Sequence, residues 1–103
     1  MAYLRMTVAD WDIDLGSPEA LLLIDAIASD GVSVFRAQPG FVRYRLMLAG
    51  PRRTVAVAEW RTEADSLSGS ARYREWMQTA GVREHITLLT DTGPVIVAGE
   101  GSE

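Results

Sequence analysis

The 103-residue sequence has no cysteine and a single histidine, His85; lysine and asparagine are also missing, so all ten cationic side chains are arginine. Without cysteine there is no disulfide framework and no thiolate chemistry. Without lysine there is no lysine Schiff base. One histidine with no second histidine or cysteine to join it does not make a typical zinc site. No stretch approaches the roughly 18 apolar residues of a membrane span, and MAYLRMTVADWD turns acidic without the apolar run of a signal peptide. A cytoplasmic chain with no membrane partner is expected. The net charge of −4 and the pI near 4.9 argue against a nucleic-acid partner, which calls for a basic surface. Neither a serine-histidine-acid arrangement nor a phosphate-binding glycine loop is visible. Asp10, Asp12 and Asp14 stand at calcium-loop spacing, but position six of that loop is Leu15 and position twelve is Leu21. The motif fails, and a solvated acidic loop is the reading; no metal is expected.

Apolar residues make up 48% of the chain and charged residues 23%, the balance of a globular protein. A single domain over 1–103 is expected, with its core at about 3–98. Tyr3 to Ala9 alternates, with Leu4, Met6 and Val8 against Tyr3, Arg5 and Thr7, and predicts a half-buried strand. Ser17-Pro18-Glu19 is a helix start with a serine cap and proline at the first helical position. The helix carries Ile24, Ile27, Ala28 and Phe35 on its apolar stripe, with a bend or break expected near Asp30-Gly31. QPGF at 38–41 punctuates the chain. Phe41 to Leu48 reads as a second strand with Val42, Tyr44, Leu46 and Leu48 on one face, and AGPR connects it to a third in a hairpin. Thr62 with Asp65 resembles a capping box. The helix that follows is expected to break at Ser68-Gly69-Ser70, resume with Tyr73, Trp76, Met77 and Ala80, and stop at Gly81. VREHITLLTD is open between helix and extended chain; Pro94 to Ala98 reads as the last strand and GEGSE as a frayed tail. The order β-α-β-β-α-β predicts an α+β, ferredoxin-like fold with an antiparallel sheet and both helices on one face.

The third strand, TVAVAEWR (54–61), raises the functional question. Side chains alternate across a strand, so Ala56, Ala58 and Trp60 share one face. Two alanines beside a tryptophan mean either a closely packed helix or room left for a ligand, and both readings stand at this point. On the opposite face Val55 and Val57 accompany Arg5, Thr7, Arg43, Arg45 and Glu59. Apolar β-branched residues there predict a second subunit covering the sheet, hence a homodimer.

QPGFVRYRLML, a short turn, TVAVAEWRTEADS and ARYREWM resemble the antibiotic biosynthesis monooxygenase-like domains of the dimeric α/β-barrel superfamily. The matching features are Pro39-Gly40-Phe41 at the entry to strand two, Trp60 at the end of strand three, the acidic helix start after it, and the helix aromatics Tyr73 and Trp76. The resemblance implies a dimer with a pocket in each subunit between sheet and helices. It also implies cofactor-free oxygenation of polycyclic aromatic polyketides or, in other members, haem degradation. In the oxygenases the substrate's own anion passes an electron to dioxygen, and the protein stabilises that anion and excludes water. The oxygenases' asparagine four positions before the tryptophan falls on Ala56, and their strand-two tyrosine on Leu46, with Tyr44 one step away on the same face. Haem-degrading members need an asparagine, absent here, and a histidine near the position of Met77, so haem degradation is not expected.

The expected site follows. Trp60, Tyr44, Tyr73 and His85 are the catalytic candidates: Trp60 as a stacking wall and indole donor, the tyrosines to orient or deprotonate a phenolic substrate, and His85 because it alone titrates near neutrality unaided. Leu4, Met6, Leu46, Ala56, Ala58, Trp76, Met77 and Arg72 are the candidate substrate contacts. The expected activity is a cofactor-independent monooxygenation of an aromatic or polyketide-type small molecule, with no cofactor. A non-oxidative cyclase or isomerase using Tyr44, Tyr73 or His85, and a non-catalytic binding protein, remain as alternatives.

Overall fold

The computed structural model describes residues 2–101, and the expected GEGSE tail ends outside them. Four strands, β1 (Tyr3–Trp11), β2 (Phe41–Gly50), β3 (Arg53–Trp60) and β4 (Ile86–Pro94), pair antiparallel in the order β2-β3-β1-β4. Helices α1 (Pro18–Ala26), α2 (Val32–Arg36) and α3 (Glu63–Thr79) fill the two connections that the ferredoxin-like order demands. The fold is α+β and ferredoxin-like, with the core between one sheet face and the helices.

The helix starts follow from their caps. Ser17 accepts a hydrogen bond from the Ala20 amide and Thr62 from the Asp65 amide, each satisfying an amide that the first turn leaves without a partner. The bend expected near Gly31 is instead a π-helical turn over Ile27–Gly31 that joins α1 to α2 without a break. Ile27, Gly31 and Phe35, four residues apart, are all buried. A Cβ on Gly31 would lie 2.9 Å from the Trp76 ring and 3.2 Å from Tyr73. Glycine is there for close approach to α3, not to end a helix. The expected break of α3 at Ser68-Gly69-Ser70 does not occur either, because Ser66, Gly69, Ser70, Tyr73 and Met77 form one buried stripe at helical spacing. A Cβ on Gly69 would overlap the Trp60 indole, which lies directly on the helix backbone. Gly40 is the true turn glycine: its φ is +76°, which L side chains rarely adopt, and its carbonyl accepts the Arg61 amide at 2.8 Å.

Two strand expectations need correction. VREHITLLTD resolves into a 3-10 turn at Arg83–His85 followed by β4, so the last strand begins at Ile86 and ends where Pro94 was expected to start it. Beyond it Ile96 and Val97 are 85% exposed. The faces of β1 are also the reverse of those expected. The strand runs on to Trp11, and Ala9 and Trp11 are buried in phase with Arg5 and Thr7, while Met6 is exposed. The Trp11 indole N–H donates to the Thr54 hydroxyl at 3.0 Å, which fixes this face inward. Leu4, Met6 and Val8 therefore lie on the outer face with Glu59, Val57 and Val55 opposite them.

Candidate functional site

Residues directly opposite each other on paired strands share a face, and the register sets two rows across the inner sheet: Arg5, Ala58 and Tyr44, then Thr90, Thr7, Ala56 and Leu46. The two alanines sit at the centre of these rows. Above them Ser70, Tyr73, Arg74 and Met77 come from α3, while Ile27 and Phe35 come from the first helical connection. Because the alanines are short, sheet and helices do not close on one another. They leave a cavity whose interior is about 80 Å3, widening to about 710 Å3 when its open mouth is counted. The enclosed interior is smaller than the roughly 300–1,000 Å3 usual for small-molecule sites, so a ligand would also have to occupy the open mouth. Ala56 and Ala58 thus line a cavity rather than a closed helix–sheet contact.

The inner wall is aromatic. Phe35 stacks on Tyr73 with ring centroids 4.1 Å apart and meets Tyr44 at 4.8 Å, Phe41 at 5.4 Å and Trp60 at 5.9 Å. Such pairs add to simple area burial and hold the two phenols still. The rings of Tyr44 and Tyr73 are 6.1 Å apart. Burial raises both phenol pKa values; at Tyr44 the neighbouring Tyr73 hydroxyl offsets part of the rise, whereas at Tyr73 the proximity of Tyr44 adds to it. Both phenols are neutral at physiological pH and can donate a hydrogen bond. Neither is a base.

The rim is cationic. Arg5 is half-buried and Arg74 exposed, and both line the cavity. The ion pairs found among the described residues are Arg43–Glu59, Arg53–Asp10, Arg72–Glu75 and those of His85, so neither rim guanidinium has a carboxylate partner there. Burial, with the charge of Arg74 nearby, lowers the pKa of Arg5, although arginine stays protonated throughout any accessible range. The Ser70 hydroxyl, also in the lining, is buried without a hydrogen-bond partner. Among the described residues, no aspartate, glutamate or histidine lines the cavity.

The structure brings together Tyr44, Tyr73, Leu46, Ala56, Ala58 and Met77 of the expected site. It does not bring the others. Leu4 and Met6 lie on the outer face by the register just described. Trp60 has no solvent exposure and stands behind the wall, locked against Gly69 and Phe35; its indole N–H is buried without a partner and the ring does not line the cavity. Trp76 packs on Gly31 and Tyr73. Arg72 points away and pairs with Glu75 at 3.3 Å, one turn-face from the lining residue Arg74. His85 lies in a separate shallow surface depression. Its Nδ1 is 2.8 Å from Asp12 and its Nε2 3.3 Å from Glu19 and 3.7 Å from Glu84. The hydrogen bond to Asp12, then the surrounding negative charge, raises its pKa. It ties the β1–α1 loop to the start of β4 and is not among the residues that line the cavity, although its neighbour Ile86 is. Missed by the sequence reading were Arg5, Thr7, Phe35, Ser70, Arg74 and Thr90. Extending β1 to Trp11 would have found Arg5 and Thr7.

No protein-family model matches the chain, and no curated protein matches it. Solved structures do. SnoaB, a cofactor-independent oxygenase from Streptomyces nogalater, superposes with a TM-score of 0.72 at 16% identity, covering 94% of this chain and 95% of that one. A dimeric ferredoxin-like protein from an uncultured marine organism gives 0.75 at 13% identity over 98% and 100% of the two chains. A Nitrosomonas europaea protein provisionally named an antibiotic biosynthesis monooxygenase gives 0.71 at 17% identity over 92% and 90%. At these identities the similarity is one of fold, and at that level it bears out the resemblance drawn from QPGF, Trp60 and the α3 aromatics.

Proposed function

We propose that this chain, which has the fold of the antibiotic biosynthesis monooxygenase-type ferredoxin-like proteins, is a cytoplasmic cofactor-independent monooxygenase acting on an electron-rich aromatic or polyketide-type small molecule. The observation that carries the reading is the cavity's composition: aromatic walls, two neutral phenols, two guanidinium groups and, among the described residues, no carboxylate or imidazole. Such a site has no general base of ordinary strength. It is suited to holding a substrate that ionises by itself, because cations and phenol donors stabilise an anion in a site shielded from water.

For an anthrone-type substrate the proton leaves to solvent through the open mouth, and the delocalised anion remains. Transfer of one electron to dioxygen gives a substrate radical and superoxide; their combination forms a carbon–oxygen bond, and the peroxide anion takes a proton back from solvent and loses water to leave a quinone. One oxygen atom stays in the product, the other departs as water, and no external reductant is consumed. Tyr44 and Tyr73 donate hydrogen bonds to the developing oxyanion, Phe35 and Leu46 hold the ring plane, and Arg5 contributes positive charge. Dioxygen uptake with an anthrone-type substrate and no added cofactor tests the proposal. Uptake matching quinone formation is expected; conversion that proceeds equally well without oxygen would identify a non-oxidative cyclase or isomerase instead, and a ligand recovered unchanged a binding protein.

The working molecule in this reading is a homodimer joined through the outer sheet faces. With β1 reversed, that face holds Leu4, Met6, Val8, Val55, Val57, Met47 and Leu89 around Arg43, Arg45 and Glu59, and Met6, Met47 and Leu89 are exposed. A contiguous apolar face of this kind marks an interaction surface. Burying each valine fully is worth roughly 1.5–3 kcal/mol. Sedimentation at micromolar concentration should show a dimer, and a stable folded monomer would remove this part of the proposal.

A further inference from the structure

We propose that the cavity takes an aromatic carboxylate: the ring enters between Phe35, Tyr44 and Tyr73, and the carboxylate stays at the mouth, clamped by Arg5 and Arg74 with the Ser70 hydroxyl as a further donor. This rests on the reading of the cavity as a ligand site and adds the ligand's charged group and its orientation.

Two independent observations support the clamp. Arg5 on β1 and Arg74 on α3 are far apart in sequence, yet both line the same cavity, and the charge of Arg74 adds to burial in lowering the pKa of Arg5. Like charges brought together, one of them half-buried, are unfavourable, and neither has a carboxylate partner among the described residues. The chain carries fourteen acidic residues, so the lack of a partner at this rim is not for want of acids; a bound anion would relieve the repulsion. Guanidinium groups present planar, forked donors that match a carboxylate. The second observation is Ser70. Its hydroxyl is 93% buried by residue, lines the same cavity from the turn of α3 before Arg74, and has no hydrogen-bond partner. Buried polar groups are almost always paired, and a ligand oxygen is a partner the cavity can admit. Thr7 and Thr90, whose hydroxyls lie 3.4 Å apart, add polar groups to the same lining.

The test compares 1-hydroxy-2-naphthoate with 1-naphthol, which has the same ring and lacks the carboxylate, by calorimetric titration of the wild type, Arg5→Gln, Arg74→Gln and Ala56→Leu, each checked for folding by circular dichroism. The wild type should bind the naphthoate at least about tenfold more tightly than the naphthol. Each arginine variant should lose about tenfold on the naphthoate and leave the naphthol affinity unchanged, and Arg5→Lys should recover part of the loss. Added salt should weaken only the naphthoate. Equal affinities for the two ligands, with both lost in Ala56→Leu, would overturn the clamp and leave the cavity as a ligand site. Absence of binding by either, or affinities that Ala56→Leu does not change, would overturn both.

Discussion

Along β3, Trp60 lies against Gly69 of α3 with no space between them, while two and four residues earlier Ala58 and Ala56 face a cavity. The same strand and the same helix thus make a sealed end and an open end. At the sealed end the small residue is on the helix and the large one on the sheet, so ring and backbone interlock. At the open end the sheet residues are small, and the opposing helix residues, Tyr73 and Arg74, turn toward the cavity walls and mouth instead of filling it. A small residue by itself therefore does not say whether a site is packed or hollow. What decides is whether the residue facing it is sized to fill the gap, as close packing of protein interiors requires wherever no ligand is to be admitted.

Substituting at the sealed end should have the largest effect. Gly69→Ala gains the usual helix preference of about 1 kcal/mol but drives a methyl group into the Trp60 ring; overpacking of this kind costs about 1–3 kcal/mol and at times more. A net loss of stability is expected in equilibrium denaturation, and a stabilised variant would mean the two ends are not different in kind. Trp60→Phe comes next. It removes part of a fully buried ring and also an indole N–H that has no partner. The two effects oppose, since loss of packing destabilises and removal of an unsatisfied donor relieves a cost. A loss of about 1–2 kcal/mol is expected, with ligand affinity per folded molecule unchanged. At the open end Ala56→Leu should move stability by less than about 1 kcal/mol, because the added side chain enters space that is already there; a loss within the overpacking range would contradict the cavity.

The smallest effect belongs to His85, outside both ends. Asp12 raises its folded pKa above the ordinary value, so its contribution is fully present below the unfolded pKa, near 6.5, and disappears as pH rises through the folded pKa. The melting-temperature difference between the wild type and His85→Gln should be widest in mildly acidic buffer and shrink on the alkaline side. It should also diminish with salt, since the partner carboxylates are exposed. A difference that grows with pH would mean that the Asp12 contact does not favour the protonated ring.

The element order, both helix caps, the β2–β3 hairpin and the pairing of Ala56 with Ala58 on an inner face could be read from alternation, capping residues and turn residues, all of them local signals. The rest depended on contacts between distant segments. Leu4, Met6 and Val8 look like a core face because they are apolar, and only Trp11, bonded to Thr54 across the sheet, shows that the other face is inward. An apolar outer face is what a sheet covered by a second subunit would carry, so hydrophobicity misleads in β1, and in β2 it serves for Tyr44 and Leu46 but not for the exposed Val42 and Leu48. By sequence Trp60 suits a core anchor as well as a stacking wall; the structure makes it the anchor, sealed by Gly69, whose type alone suggests a helix break. Arg5 and Arg74 were invisible as a pair, since nothing in the spacing of residues 5 and 74 brings them to one rim.

Titration of 1-naphthol into Ala56→Leu and Trp60→Phe side by side tests the difference between the two ends most directly. The account predicts that Ala56→Leu, near wild-type in stability, loses at least about tenfold in affinity, equivalent to about 1.4 kcal/mol, while the destabilised Trp60→Phe binds as the wild type does. Full affinity in Ala56→Leu together with lost affinity in folded Trp60→Phe would contradict it and place the ligand at the end described here as sealed.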